Sequence, residues 1–82
     1  MVHYMVSLKN LLADAAKAIV DYPDEVTVTE TEESDGILLV LSVAPTDMGK
    51  VIGKHGKIAR ALRTLVKASA NSIGKKVTVE IR

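Results

Sequence analysis

The chain has 82 residues, 48% hydrophobic and 26% charged, with five glycines, two prolines and no cysteine. That is material for one small core, and it excludes both a disulfide framework and a thiolate metal site. A domain of this size buries only roughly 60% of its unfolded surface, which leaves little structure for a walled active site and favours binding at a surface.

The formal net charge of +1 conceals a division along the chain. Residues 1–43 carry Lys9 and Lys17 against eight carboxylates, net −6, whereas residues 44–82 carry nine cations against Asp47 and Glu80, net +7. Clustered lysine and arginine attract phosphate ligands, so the second half reads as a polyanion-facing segment; two solvated faces that neutralise each other are the alternative. The only aromatic residues are Tyr4 and Tyr22, which disfavours nucleic-acid modules that stack bases on rings. The longest apolar run, Ile37 to Leu41, falls far short of the ~20 residues that span a bilayer. No charged leader with a cleavage site precedes an apolar stretch, and the chain reads as cytoplasmic, with no membrane partner.

In chain order, Leu8, Leu11, Leu12, Ala15 and Ile19 recur at helical spacing between Ser7 and Val20, and Pro23 closes this first helix. Val26 and Val28 alternate with Thr27 and Thr29 as a half-buried strand. Glu33-Ser34-Asp35-Gly36 is a turn, with Asp-Gly supplying the positive φ of a tight hairpin. Ile37 to Val43 is apolar enough for a central strand paired with the one before it. Pro45 and Thr46 end that strand; Thr46 is placed to cap a short helix, with Asp47 against its positive dipole end. Gly53 and Gly56 interrupt this helix after Ile52, and a longer one runs from Lys57 to about Ile73, with Gly74 as its stop. Val77, Val79 and Ile81 alternate with Thr78, Glu80 and Arg82 as a closing strand. The order is α-β-β-α-α-β in one α+β domain, residues 1–82, without repeat or linker.

The informative segment is Gly49-Lys50-Val51-Ile52-Gly53-Lys54-His55-Gly56-Lys57-Ile58. Glycines three apart between two helices allow another backbone to approach, and the turn aims N–H groups at the start of the second helix outward, where its dipole favours phosphate. Lys50, Lys54, His55 and Lys57 add charge. A P-loop fails here, because three residues rather than four separate Gly49 from Gly53 and His55 follows Lys54. A Rossmann fingerprint fails on spacing too. The pattern that fits is G-x-x-G, and Val51 to Ile58 resembles the V-I-G-x-x-G-x-x-I signature of the KH domain, except that Ile58 sits two rather than three places after Gly56. With a helix and strand before the β-α-α-β core, the resemblance covers essentially the whole chain and is to the type II, prokaryotic form. The small size makes the chain look most like stand-alone bacterial members.

The resemblance implies a three-stranded sheet packed against three helices, single-stranded RNA as partner, no enzymatic activity and no cofactor. It implies a chaperone-like role with a second KH protein in cell-shape and envelope regulation. Carried over by position, Gly53, Lys54, His55 and Gly56 face the RNA backbone. Lys50, Lys57 and Arg60 flank them, and Val51 and Ile52, with Ile37 or Leu39, lie in or under an aliphatic platform for about four bases. Catalysis by His55 is disfavoured, since no Asp, Glu, Ser or Cys adjoins it; His3 reads as inert. Tyr4 and Tyr22 read as packing residues flanking the first helix, and Asp14, Asp21 and the Glu30 to Asp35 cluster as solubilising charge. On a helical wheel at ~100° per residue, the apolar arc of Lys57 to Ile73 is about twice what one sheet needs. Either the core is wider, or one margin meets a second copy or a KH partner, with Leu65, Val66 and Ser69 as the candidate seam. A protein-interaction adaptor that mainly dimerises is the alternative function.

Overall fold

The computed structural model describes residues 7–82. Helix α1 (Leu8–Lys17) is followed by strands β1 (Thr27–Glu33) and β2 (Gly36–Ser42), helices α2 (Met48–Ile52) and α3 (Lys57–Ser72) and strand β3 (Val77–Ile81). Single 3-10 turns at Pro23–Glu25, Pro45–Asp47 and Lys54–Gly56 join them. This is the expected α+β order. Ser7 caps α1 by accepting the Asn10 N–H. The helix stops at Lys17, short of the expected Val20: the Ile19 N–H bonds the carbonyl of Ala16, three residues back, and the Val20 N–H shares that same carbonyl, which closes the last turn.

The sheet order is β1-β2-β3. The expected hairpin is present, antiparallel from Thr27 opposite Ser42 to Glu33 opposite Gly36. Strand β1 runs four residues past Thr29, and its outer edge carries the exposed Glu30, Glu32 and Glu33, charges that discourage edge-to-edge pairing. Strand β3 lies parallel to β2, with Ile37 opposite Val77 and Leu41 opposite Ile81; α2 and α3 form the crossover that parallel pairing demands. Ser34 and Asp35 do not adopt positive φ; Gly36 does, at φ 156. Close approach requires the glycine as well, since a Cβ there would lie 2.5 Å from the Lys76 carbonyl oxygen, which accepts the Ile37 N–H.

One face of the sheet is covered. Ile37, Leu39 and Leu41 alternate inward with Val28, Val77 and Val79, meeting Leu8, Leu12 and Ala16 of α1 and Leu62, Val66 and Ala70 of α3. Each fully buried aliphatic side chain of this kind contributes about 1.5–3 kcal/mol. The other face presents Thr27, Thr29, Thr31 and Thr78 around the half-buried Leu38 and Val40. Among the described residues no helix is long and apolar enough to cross a membrane.

Candidate nucleic-acid interface

Helix α2 has five residues, too few to persist by itself. Val51, fully buried, fastens it to the core. Ile52, on the other side, is 37% exposed. The helix ends at Gly53, whose N–H bonds the Gly49 carbonyl at 2.9 Å, and the chain turns through Lys54–Gly56 into α3.

The two glycines of this turn are not equivalent. Gly53 has φ 75 and ψ 173, a region that is essentially glycine-only, and a Cβ on it would meet Ile58 Cγ1 at 2.3 Å. Its missing side chain makes room for Ile58 of this chain. Gly56 has φ 72 and ψ 16 with nothing within 4 Å of its would-be Cβ. The open approach that the G-x-x-G spacing suggested therefore exists at Gly56 alone. Between them His55 adopts the left-handed conformation at φ 58 and ψ 24, the one non-glycine among the described residues with positive φ, a position that holds its side chain out at the tip of the turn.

No side chain caps α3; the Lys57 N–H is taken by the Lys54 carbonyl, and at the N–H groups that follow it the helix dipole favours an anion. Lys54, His55, Lys57 and Arg60 are all exposed around this end. The two ion pairs among the described residues are Lys50–Asp21 and Arg82–Glu80, so these four make none. Lys50 differs. Its Nζ lies 2.6 Å from Asp21 Oδ2, and that hydrogen-bonded carboxylate raises its pKa above the ordinary value for lysine.

Val51, Ile37 and Leu39, expected in or under an aliphatic platform, are buried in the core, so of the two only the position beneath it is open to them. Other expectations need correction. Thr46 caps nothing; it sits in the 3-10 turn before α2. Asp47 holds the first-cap position of α2, yet its carboxylate accepts the N–H groups of Asp21 and Tyr22 at 3.0 Å each. The spacing to Gly53 gave no hint of that contact, because its partners are 25 and 26 residues away. Tyr22, expected to pack, is 53% exposed. Tyr4 and His3 lie outside the described residues.

Helix α3 separates into three faces. Ala59, Leu62, Val66 and Ala70 enter the core. Lys57, Arg60 and Lys67 lie on an exposed cationic face, bordered by Arg63, whose Nε donates to the Val79 carbonyl at 3.4 Å. Ile58, Ala61, Leu65 and Ala68 form a third, exposed apolar face, with Leu65 at 43%. Of the expected seam residues, Val66 is fully buried in its own chain and drops out, Ser69 is half-buried, and Leu65 stands at the surface. No group of three or more His, Asp or Glu among the described residues is placed to hold a metal ion.

A short helix, a G-x-x-G turn and a long helix between parallel strands of a three-stranded sheet define a KH domain, and the leading α1–β1 pair makes it type II. The same fold occurs in Era in complex with MgGDPNP and nucleotides 1506–1542 of 16S ribosomal RNA, with TM-score 0.71 over 99% of this chain and 35% of that one, at 14% identity. The family model "KhpA/KhpB, KH domain" matches residues 9–81, and the chain belongs to that family. It is 55% identical over 74 residues to the RNA-binding protein KhpA of Clostridium acetobutylicum, covering 90% of this chain and 99% of that protein. To the RNA-binding protein KhpA of Aquifex aeolicus it is 48% identical over 77 residues, covering 94% and 98%.

Proposed function

We propose that this protein binds single-stranded RNA without enzymatic turnover, clamping the sugar-phosphate backbone at the Gly53–Gly56 turn. The observation that carries the reading is the open space at Gly56 beside the uncapped start of α3, ringed by Lys54, His55, Lys57 and Arg60. Phosphate approaches the turn, the helix dipole and cations hold it, and unstacked bases lie against aliphatic surface at Ile52 and Ile58. The relatives' name, RNA-binding protein KhpA, supports this. Lys50 joins the contact only after leaving Asp21.

Replacing Lys54 and His55 together by Asp places two anions where phosphates would sit. In a gel-shift titration this variant should lose RNA binding with an unchanged circular dichroism spectrum. Binding like the parent's would overturn the assignment.

The exposed apolar face of α3 supports a second element, a two-fold contact through Leu65 and Ser69 with a second copy or a KhpB-type KH partner. Joining two domains raises avidity where single-domain contacts are modest. By resemblance, the biological setting is RNA chaperoning and post-transcriptional regulation in the cytoplasm, linked to cell shape and cell-wall biogenesis. The same apolar face would also serve an adaptor that dimerises and ignores nucleic acid. RNA retained through purification, seen as high 260 nm absorbance, separates the two.

A further inference from the structure

Asp47 is the one polar or charged side chain among the described residues that is fully withdrawn from solvent. A buried carboxylate is costly unless its oxygens are satisfied. Here Oδ1 accepts from the Asp21 N–H and Oδ2 from the Tyr22 N–H, each at 3.0 Å. Two oxygens on two consecutive N–H groups hold the loop between α1 and β1 in one orientation, through hydrogen bonds strengthened by the charge.

The location matters more than the bonds. Asp47 immediately precedes α2, and α2 receives no side-chain cap from it. The five-residue helix is thus held by Val51 in the core, by Met48 packed against it, and by Asp47 at its start. Outside the buried carboxylate, the Lys50–Asp21 pair stitches the same helix to the same loop. Helix α2 in turn carries Ile52 and leads directly into Gly53. Any tilt of α2 displaces the turn, and Gly53 has no slack to absorb it because Ile58 already fills the space beside it.

We propose that Asp47 is a positioning residue for RNA binding: without touching RNA, it locks α2 to the Asp21–Tyr22 loop and so holds Ile52 and the Gly53–Gly56 turn in the binding orientation. The proposal rests on the RNA-binding reading above, and its test separates the two. In Asp47→Asn, one accepting oxygen becomes an NH2 that cannot receive a backbone N–H. If α2 then keeps its orientation only a tenth of the time, apparent Kd for a random-sequence pool of RNA octanucleotides rises about tenfold.

Val28→Ala, which trims the core under β1, serves as the stability control, with both variants measured at a temperature where circular dichroism shows them fully folded. The expected result is weakened binding in Asp47→Asn and unchanged binding in Val28→Ala. Equal affinities for Asp47→Asn and the parent, or an equal loss in the two variants, overturns the proposal. A parent that binds no RNA overturns the RNA reading instead.

Amide exchange in the unmodified protein tests the same coupling should Asp47→Asn fail to fold. Coupling is reciprocal, so saturating RNA should slow exchange at the Asp21 and Tyr22 N–H groups together with those of Gly53 and Gly56. Protection confined to the turn, with Asp21 and Tyr22 unchanged, overturns the positioning role.

Discussion

Gly53→Ala and Gly56→Ala each add one methyl group to the same turn, and the geometry assigns them different consequences. At Gly53 the new Cβ would lie 2.3 Å from Ile58 Cγ1 and 2.9 Å from its Cβ. Ile58 is β-branched and sits in the first turn of α3, so it cannot rotate aside. Holding a non-glycine residue in this backbone region costs about 1–3 kcal/mol, and forced overpacking adds about 1–3 kcal/mol. In a domain of this size each kcal/mol moves Tm by about 4–8 °C, so Gly53→Ala should lower Tm by about 8 °C or more.

At Gly56 the backbone occupies the left-handed well that His55 also adopts, and the added methyl meets nothing. Strain of about 1–2 kcal/mol is partly offset by about 0.4–1 kcal/mol from the reduced freedom of the unfolded chain. With no overpacking to add, its Tm should fall by less than that of Gly53→Ala. RNA affinity should give the opposite contrast, because the Gly56 methyl projects into the space a phosphate needs. Thermal melts by circular dichroism and anisotropy titrations with a labelled RNA octanucleotide check both halves. Equal Tm losses would refute the packing argument, and parental RNA affinity in Gly56→Ala would refute the open-approach argument.

Three further outcomes are expected. With Lys54, Lys57 and Arg60 neutralising phosphates, log K against log salt should slope by about −2 for single-stranded RNA, and duplex RNA should bind more weakly; a flat response contradicts the clamp. Asp21→Asn releases Lys50 and should steepen that slope by about 0.7, whereas Asp24→Asn, the same charge change without an ion pair, should leave it unchanged in parallel titrations. Light scattering at tens of micromolar should show Leu65→Glu as a folded monomer and the parent as a dimer, while Val66→Glu, which buries an unpaired carboxylate, should unfold; a monomeric parent would assign the apolar face no self-contact.

Much of this protein is legible in one dimension because its signals are local. The 3.6-residue period of α1 and α3, the alternation in β1 and β3, the apolar run of β2, the stop at Gly74 and the glycine pair after Ile52 each rest on residues within a few positions of one another. Those signals determined the order of elements, the G-x-x-G turn and the cations around it. What tertiary structure decided are matters of which residue meets which at long range. The wheel of α3 showed an apolar arc too wide for one sheet, but only packing against α1, β2 and β3 divided it into Val66 inside and Leu65 outside. Lys50 looked like its neighbours Lys54 and Lys57 until the loop after α1 brought Asp21 to it. Asp47 stands at the start of its own helix as expected, but its carboxylate is taken by the Asp21 and Tyr22 N–H groups. A carboxylate enclosed by the fold must take the nearest free N–H groups wherever the chain has placed them, and here these belong to a loop that local spacing cannot reveal.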